Sequence, residues 1–119
     1  MDTKEVASEL VALCNAGRNA DAVERLYAHD IVSIETNEPM KETRGIDGVR
    51  GKNQWWVENH EVHSGVTRGP WVNGDQFITE NTYDITFKPN GKRSTMNETA
   101  VYTVRDGKIV HEAFFNPLS

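Results

Sequence analysis

Residues 73–107, NGDQFITENTYDITFKPNGKRSTMNETAVYTVRDG, decide the fold that the sequence predicts. Residues 76–87 and 94–105 alternate between apolar and polar side chains, a pattern typical of strands with one buried face. Turn signals surround the two runs, at residues 73–75, 89–91 and 106–107. The stretch therefore predicts an antiparallel meander that continues into a last strand over residues 108–115.

The region before this stretch predicts three helices. Apolar residues at helical spacing predict a first helix over residues 3–16 and a second that begins at Asn19 or Asp21. Asp47 is placed to cap a third helix that runs to about Asn59.

Two further strands are expected between and after these helices. Alternation predicts a first strand over residues 32–36 and a long strand over residues 62–72, which bends at Gly65 and at Gly69-Pro70. Residues 37–46 are predicted to be a loop because they contain Asn37, Pro39 and Gly45.

The order α-α-β-α-β-β-β-β predicts an α+β fold, with one domain over residues 1–119. A curved antiparallel sheet is expected to wrap around the three helices. Helices on the concave side of such a sheet produce a cone whose narrow end they fill. The mouth of the cone then becomes a pocket for a small molecule.

The composition excludes several classes of partner. Lys and Arg number 13 against 18 Asp and Glu, a net charge of −5, which argues against a nucleic-acid backbone. No apolar run approaches the roughly 20 residues of a membrane span, so no membrane partner is expected. Cys14 is the only cysteine, and the N-terminus lacks the apolar stretch of a secretory signal. A soluble, cytoplasmic protein is therefore expected.

Glu98 is the most informative single residue. It shares a predicted strand face with Met96, Ala100, Tyr102 and Val104. A charged, unpaired acid on such a face costs several kcal/mol, so Glu98 needs a partner or a raised pKa. We expect it to be buried against a His, a Tyr hydroxyl or an Arg, as a pocket acid or base. The alternatives are a structural acid paired with a buried Arg or Lys, and a slipped register.

The end of the third helix supplies further candidates. His60 continues the face of Val49, Asn53 and Trp56, so it is expected at the pocket mouth, where it could form an acid–base pair with a carboxylate. The alternative is a histidine that only stabilises the helix C-terminus. His63 is a candidate ligand-binding residue. No further ligand stands at a recognisable spacing from the two histidines, so no metal site is expected.

Aromatic and acidic residues on the strands complete the candidate pocket. Trp56, Tyr83 and Tyr102 are expected to form walls that suit a flat or apolar ligand, although core packing would also explain them. Glu112 lies on a strand whose inward face is ambiguous from the pattern alone. The chain contains no phosphate loop, dinucleotide fingerprint or nucleophile elbow, and no cofactor is expected.

Two segments carry a resemblance to a known superfamily. Residues 26–30, LYAHD, and residues 106–110, DGKIV, resemble the start and the last hairpin of nuclear-transport-factor-2-like proteins. That cystatin-like superfamily includes ketosteroid isomerases, limonene-epoxide hydrolases and SnoaL-like polyketide cyclases. Residues 55–63 and 109–115 resemble an uncharacterised SnoaL-like group more closely. The resemblance implies the cone fold, an inward Glu112, and a homodimer formed sheet to sheet.

The resemblance also assigns a role to Glu35. The strand pattern alone would make Glu35 a solvated residue, whereas alignment with ketosteroid isomerases puts it at the position of their carboxylate base. The same alignment puts Val11 and Ala100 at the two oxyanion donors, and Phe114 stands where the cyclases have a catalytic aspartate. The resemblance thus implies a base without the isomerases' usual oxyanion donors.

Three functions are compatible with these residues. The first is a cofactor-free isomerase, cyclase or hydrolase that acts on a small, partly apolar molecule through Glu35, Glu98 and His60. The second is a non-catalytic module that binds a small ligand. The third is an assembly domain whose sheet mediates association. A homodimer through the outer face of the sheet, which carries Ile78 and Val101, is expected in any of these cases.

Overall fold

The computed structural model describes residues 1–36 and 41–116, which form three helices and a six-stranded sheet. The α+β class predicted from the sequence is confirmed. In chain order the elements are α1 (Thr3–Asn15), α2 (Asn19–Leu26), β1 (Tyr27–Ile34), β2 (Glu42–Arg44), α3 (Ile46–Asn59), β3 (His60–Asn73), β4 (Gln76–Phe87), β5 (Lys92–Arg105) and β6 (Lys108–Phe115).

The strands form an open sheet in the order β2-β1-β6-β5-β4-β3. All neighbours are antiparallel except β1 and β6, which are parallel. The sheet is thus mixed, whereas the sequence predicted an antiparallel one. The reason is topological: α3 carries the chain from β2 at one edge to β3 at the other. The meander β3 to β6 then returns to β1 and brings β6 alongside it in the same direction.

The pairing of β4 with β5 runs without a break from Gln76↔Thr103 to Phe87↔Lys92. It confirms the predicted faces, because Phe77, Thr79, Ala100 and Tyr102 are all nearly inaccessible to solvent. Directly opposed residues share a face. Asn81 lies opposite Glu98, so both side chains belong to the side of the sheet that the helices cover.

Two segments before α3 differ from the sequence prediction, and β3 and β5 each begin two residues earlier than predicted. β1 begins at Tyr27 instead of Val32, because Tyr27 adopts an extended backbone and pairs with Ile109 of β6. Residues Glu42–Arg44 form β2, where a loop was predicted, because they find a partner in β1. Such pairing with a distant segment overrides local propensity. Asn37 and Pro39 of the predicted loop lie outside the described residues.

The helices fill the concave side of the sheet as predicted. α1 packs against β3, β4 and β5, and α3 packs against β1, β2 and β3. Val6, Leu10, Leu26, Ile31 and Phe77 are among the side chains of this core that are almost completely buried. Asp2 caps α1: its carboxylate accepts from the Glu5 amide at 2.8 Å, and the Glu5 side chain accepts from the Asp2 amide. The predicted cap of α3 by Asp47 is wrong, because Asp47 lies inside that helix, whose N-cap is Gly45. Among the described residues, no helix is both long and apolar enough to cross a membrane.

β3 contains the predicted irregularities. Its register against β4 shifts between Val62 and Ser64 and again between Arg68 and Trp71. Gly69 in the second shift has a φ of 108°, a left-handed conformation that favours glycine. These bulges bend β3 towards the C-terminal end of α1, where the Asn15 side chain exchanges two hydrogen bonds with the Thr67 backbone, at 2.9 and 2.8 Å.

The outer face of the sheet carries an apolar row that crosses five strands. Paired positions place Trp71, Ile78, Val101, Ala113 and Ile34 side by side in that order. Trp71 is 52% exposed and Ile78 is 38% exposed. A contiguous exposed apolar surface of this kind is typical of a protein–protein interface.

We therefore predict that two copies pair through this apolar row and bury on the order of 1,200 Å² or more in total. Light scattering should give the mass of a dimer at micromolar concentration. Ile78→Lys should shift the mass towards the monomer, because the buried ammonium would lack a partner. Ala12→Lys, a similar change on the exposed side of α1, should leave the dimer intact. A monomeric mass for the unmodified chain would contradict the prediction.

Candidate active site

The mouth of the cone contains a cavity of about 690 Å³. Its walls come from α1, α2 and α3 on one side and from the concave face of the sheet on the other. Five of the residues predicted to form a site line it: Glu35, Trp56, Tyr83, Glu98 and Tyr102. Glu112 lines it as well, which resolves the ambiguous face of the last strand in favour of the inward orientation.

Glu112 is the centre of a buried hydrogen-bond network. Its carboxylate is 2% exposed and accepts a short hydrogen bond from the Tyr27 hydroxyl through Oε2. Oε1 accepts from the Ser33 hydroxyl at 2.8 Å. Burial raises the pKa of Glu112, while the donors Tyr27 and Ser33 and the nearby Lys52 ammonium oppose that rise. β1 and β6 are thus joined by side chains as well as by their backbones.

Lys52 extends this network to Glu35. Its side chain is 9% exposed, and Nζ lies 2.5 Å from Ser33 Oγ and 3.0 Å from Glu35 Oε1. Nζ also lies 5.3 Å from the centre of the Phe114 ring, within reach of a cation–π interaction. Glu35 therefore lies at the cavity wall as part of an ion pair.

Glu98 occupies a different part of the wall and has few partners. Oε1 accepts a hydrogen bond from Asn81 Nδ2 at 2.9 Å. Glu98 was predicted to be buried, and its side chain is partly buried. The predicted partner is wrong: it is the amide of Asn81, because Asn81 is the residue directly opposite Glu98 on β4.

The surroundings of Glu98 raise its pKa to about 7. Removal from water is the largest cause, and repulsion from Glu35 and Glu112 adds to it. The Asn81 hydrogen bond and the more distant Lys52 ammonium oppose the rise. Glu98 thus exchanges its proton near neutral pH, unlike an ordinary glutamate.

Aromatic side chains form much of the remaining wall. Trp56 and Tyr83 lie 6.0 Å apart between ring centres near the end of α3. Tyr102 is stacked on Phe77 at 4.7 Å and meets Phe114 edge to face at 6.3 Å. The sequence left open whether Tyr102 forms a pocket wall or packs in the core. In the structure it does both.

The two predicted histidines do not reach the cavity. His60 is stacked on Trp56 at 4.3 Å between ring centres, and its Nδ1 lies 2.8 Å from the Trp56 carbonyl oxygen. α3 has ended at Asn59, so His60 begins β3 and leaves the helix face that pointed inward. His63 is exposed, with Nε2 2.7 Å from Thr86 Oγ1. The expected convergence of Glu35 and His60 on one cavity is therefore wrong.

Sequence reasoning did not single out Lys52, Ser33, Tyr27 or Asn81 as site residues. The inward position of Lys52 could have been predicted from helical spacing. It lies three residues after Val49 and four before Trp56, on the inward face of α3. The strand pattern misplaces Ser33. It suggests that the apolar residues Val32 and Ile34 face inward, whereas they lie on the outer face of the sheet and Ser33 faces inward. Among residues 1–36 and 41–116, no group of three or more His, Cys, Asp or Glu side chains is arranged to hold a metal ion.

Comparison with known proteins places the chain in a family. The SnoaL-like domain family matches residues 1–116, and the chain belongs to that family. A crystal structure from Mesorhizobium loti, provisionally assigned as a SnoaL-like polyketide cyclase [carbohydrate phosphatase], is 46% identical. It superposes with a TM-score of 0.94, over 97% of this chain and 99% of that one.

More distant structures share the fold alone. A nuclear-transport-factor-2-like protein from Burkholderia thailandensis is 21% identical with a TM-score of 0.83, over 98% of this chain and 92% of that one. A protein with a cystatin-like fold from Xanthomonas campestris is 15% identical with a TM-score of 0.80, over 99% and 92%. These likenesses confirm the predicted fold. No curated protein matches the chain.

We predict that Tyr27→Phe lowers the free energy of unfolding by about 1–3 kcal/mol, because Glu112 loses a buried donor. Tyr102→Phe is the matched control. The Tyr102 side chain is similarly buried, and within the described part of the chain its hydroxyl makes no hydrogen bond to Glu112. Chemical denaturation measures both variants. Equal losses would show that the Tyr27 hydroxyl does not stabilise Glu112.

Glu98 should also make stability depend on pH. Its pKa in the folded chain, about 7, exceeds the ordinary value of 4.5, so the folded state holds a proton that the unfolded state has lost. Its contribution to the free energy of unfolding should therefore be present below about pH 4.5 and be lost as pH rises to about 7. Glu98→Gln should remove that slope and Glu80→Gln, on the opposite sheet face, should retain it. Parallel pH–stability curves for Glu98→Gln and the unmodified chain would contradict the assignment.

Proposed function

We propose that the protein is a cofactor-free enzyme that moves a proton on a small, partly apolar molecule, with Glu98 as the acid–base group. The observation that carries this proposal is a carboxyl with a pKa of about 7 that opens onto a cavity of about 690 Å³. A group that titrates near working pH is the most effective proton acceptor or donor. Isomerisation and cyclisation both proceed through such proton transfers, as does general-base hydrolysis.

Glu98 is better placed as the base than Glu35. Glu35 lies in the same cavity, but Lys52 Nζ already bonds its Oε1 at 3.0 Å. Within the described part of the chain, Glu98 accepts a single side-chain hydrogen bond, from the neutral amide of Asn81. We therefore assign Glu35 to charge balance and substrate orientation.

Developing negative charge needs a donor, and the tyrosines on the wall can supply it. Val11 and Ala100, at the positions of the isomerases' oxyanion donors, have no side-chain donor. The pKa of Tyr102 lies well above its ordinary value and that of Tyr83 is raised to about 12, in both cases mainly through burial. Both hydroxyls stay protonated at neutral pH and can donate to an enolate-like oxygen in the cavity.

The test uses 5-nitrobenzisoxazole, a flat probe that reports proton abstraction directly. A base removes its carbon-bound proton; the electron pair of the C–H bond completes a nitrile, and the N–O bond breaks to release a coloured cyanophenolate. We expect the rate to rise with pH around a midpoint near 7, where Glu98 ionises. Glu98→Gln should lower turnover by roughly 10²-fold or more while binding is retained.

Matched variants separate the possible outcomes. Glu80→Gln removes the same charge from the neighbouring position of β4 on the outer face, and it should leave the rate unchanged. A large loss in Glu35→Gln together with an unchanged Glu98→Gln would move the base to Glu35. Saturable binding of the probe with no turnover would instead favour the non-catalytic binding module.

A further inference from the structure

The charged side chains that line the cavity are all acidic. Among the described residues that line it, three are acidic, Glu35, Glu98 and Glu112, and none is Lys, Arg or His. Two of the three acids are already balanced or hydrogen-bonded within the protein. Glu35 is paired with Lys52, and each oxygen of Glu112 accepts a hydroxyl. In residues 1–36 and 41–116, Glu98 is left with one neutral side-chain donor and no cation bonded to it.

The amide oxygen of Asn81, beside Glu98, needs a hydrogen-bond donor. Asn81 is 4% exposed and lines the cavity, and its Oδ1 is buried without a hydrogen-bond partner in the described part of the chain. The orientation of this amide is set by Glu98, because Nδ2 has to face the carboxylate oxygen at 2.9 Å. A buried amide oxygen without a donor is destabilising, and a ligand N–H would satisfy it.

The aromatic wall is compatible with a positive ligand. Trp56 and Tyr83 both line the cavity, and aromatic rings attract organic cations. A carboxylate, an unsatisfied amide oxygen and aromatic rings thus meet in one space. All three interact favourably with a protonated nitrogen, and none of them favours a carboxylate or phosphate group.

We infer that the ligand is an organic amine, bound in its protonated form with an N–H directed to Asn81 Oδ1 and with Glu98 as its counter-charge. The inference rests on the cavity of the proposed function but does not require turnover.

The charge preference should depend on pH, since a protonated Glu98 gives no counter-charge. At about pH 8 Glu98 is mostly ionised, and below about pH 6 it is mostly neutral. An ammonium ion favours the ionised form, so amine binding below pH 7 should release a proton. The groups that face Glu98 from the surrounding elements are Cys14, Glu35, Lys52, Tyr83, Tyr102 and Glu112.

The experiment compares three probes of one skeleton by titration calorimetry on the intact chain: tryptamine (cation), tryptophol (neutral) and indole-3-acetate (anion). At about pH 8 we expect tryptamine to bind at least roughly tenfold more tightly than tryptophol, and indole-3-acetate to bind most weakly. The preference for tryptamine should shrink as pH falls through 7, with proton release in buffers of different ionisation enthalpy.

Three variants locate the effect. Glu98→Gln should abolish the preference for tryptamine, Asn81→Leu should reduce it, and Glu80→Gln should retain it. Equal binding of tryptamine and tryptophol, tighter binding of indole-3-acetate, or no binding of tryptamine would overturn the inference. So would a preference that survives Glu98→Gln or that does not vary with pH. If a variant fails to fold, the pH dependence of the tryptamine preference in the unmodified chain still tests the inference. Nitrobenzisoxazole turnover can fail while the amine preference holds, so the two proposals are tested separately.

Discussion

The buried carboxylate of Glu112 is the constraint on which the site depends. Removing a charged group from water costs several kcal/mol unless hydrogen bonds replace the lost solvent. Tyr27 and Ser33 of β1 donate those bonds, and Lys52 of α3 bonds to Ser33 and to Glu35. The requirement to satisfy one carboxylate therefore draws β6, β1 and α3 to the same point. The cavity opens beside that point, between the helices and the sheet.

This arrangement separates the acids of the cavity into different roles. Glu112 is used for structure because both of its oxygens are occupied, and Glu35 is held by an ammonium ion. Glu98 remains less constrained, and its removal from water brings its pKa to about 7. Chemically identical side chains thus differ in function because their neighbours differ. The same principle makes Glu98 responsive to ligand charge, since within the described residues its hydrogen-bond partner is the neutral amide of Asn81.

The sequence predicted some elements of the fold accurately and missed others. Residues 76–87 form a strand with the predicted bounds, because tight turns at both ends leave the alternation no other register. Residues 108–115 also have the predicted bounds, and the turn at residues 106–107 sets where that strand begins. β2 was missed because three residues carry too little pattern to be recognised. The parallel pairing of β1 with β6 was missed because it depends on α3 crossing from one sheet edge to the other. Local sequence does not encode that crossing.

For the site, the sequence by itself determined which strand faces are apolar, and so that Glu98, Tyr83 and Tyr102 share the side covered by helices. It also placed Trp56 on the inward face of α3. Only the tertiary structure decided the partners: Asn81 for Glu98, Tyr27 and Ser33 for Glu112, and Lys52 for Glu35. It also removed His60 and His63 from the cavity, because α3 ends at Asn59. The physical reason is that periodicity gives the direction of a side chain within its own element. The pKa and the hydrogen bonds of that side chain depend on elements that are remote in sequence.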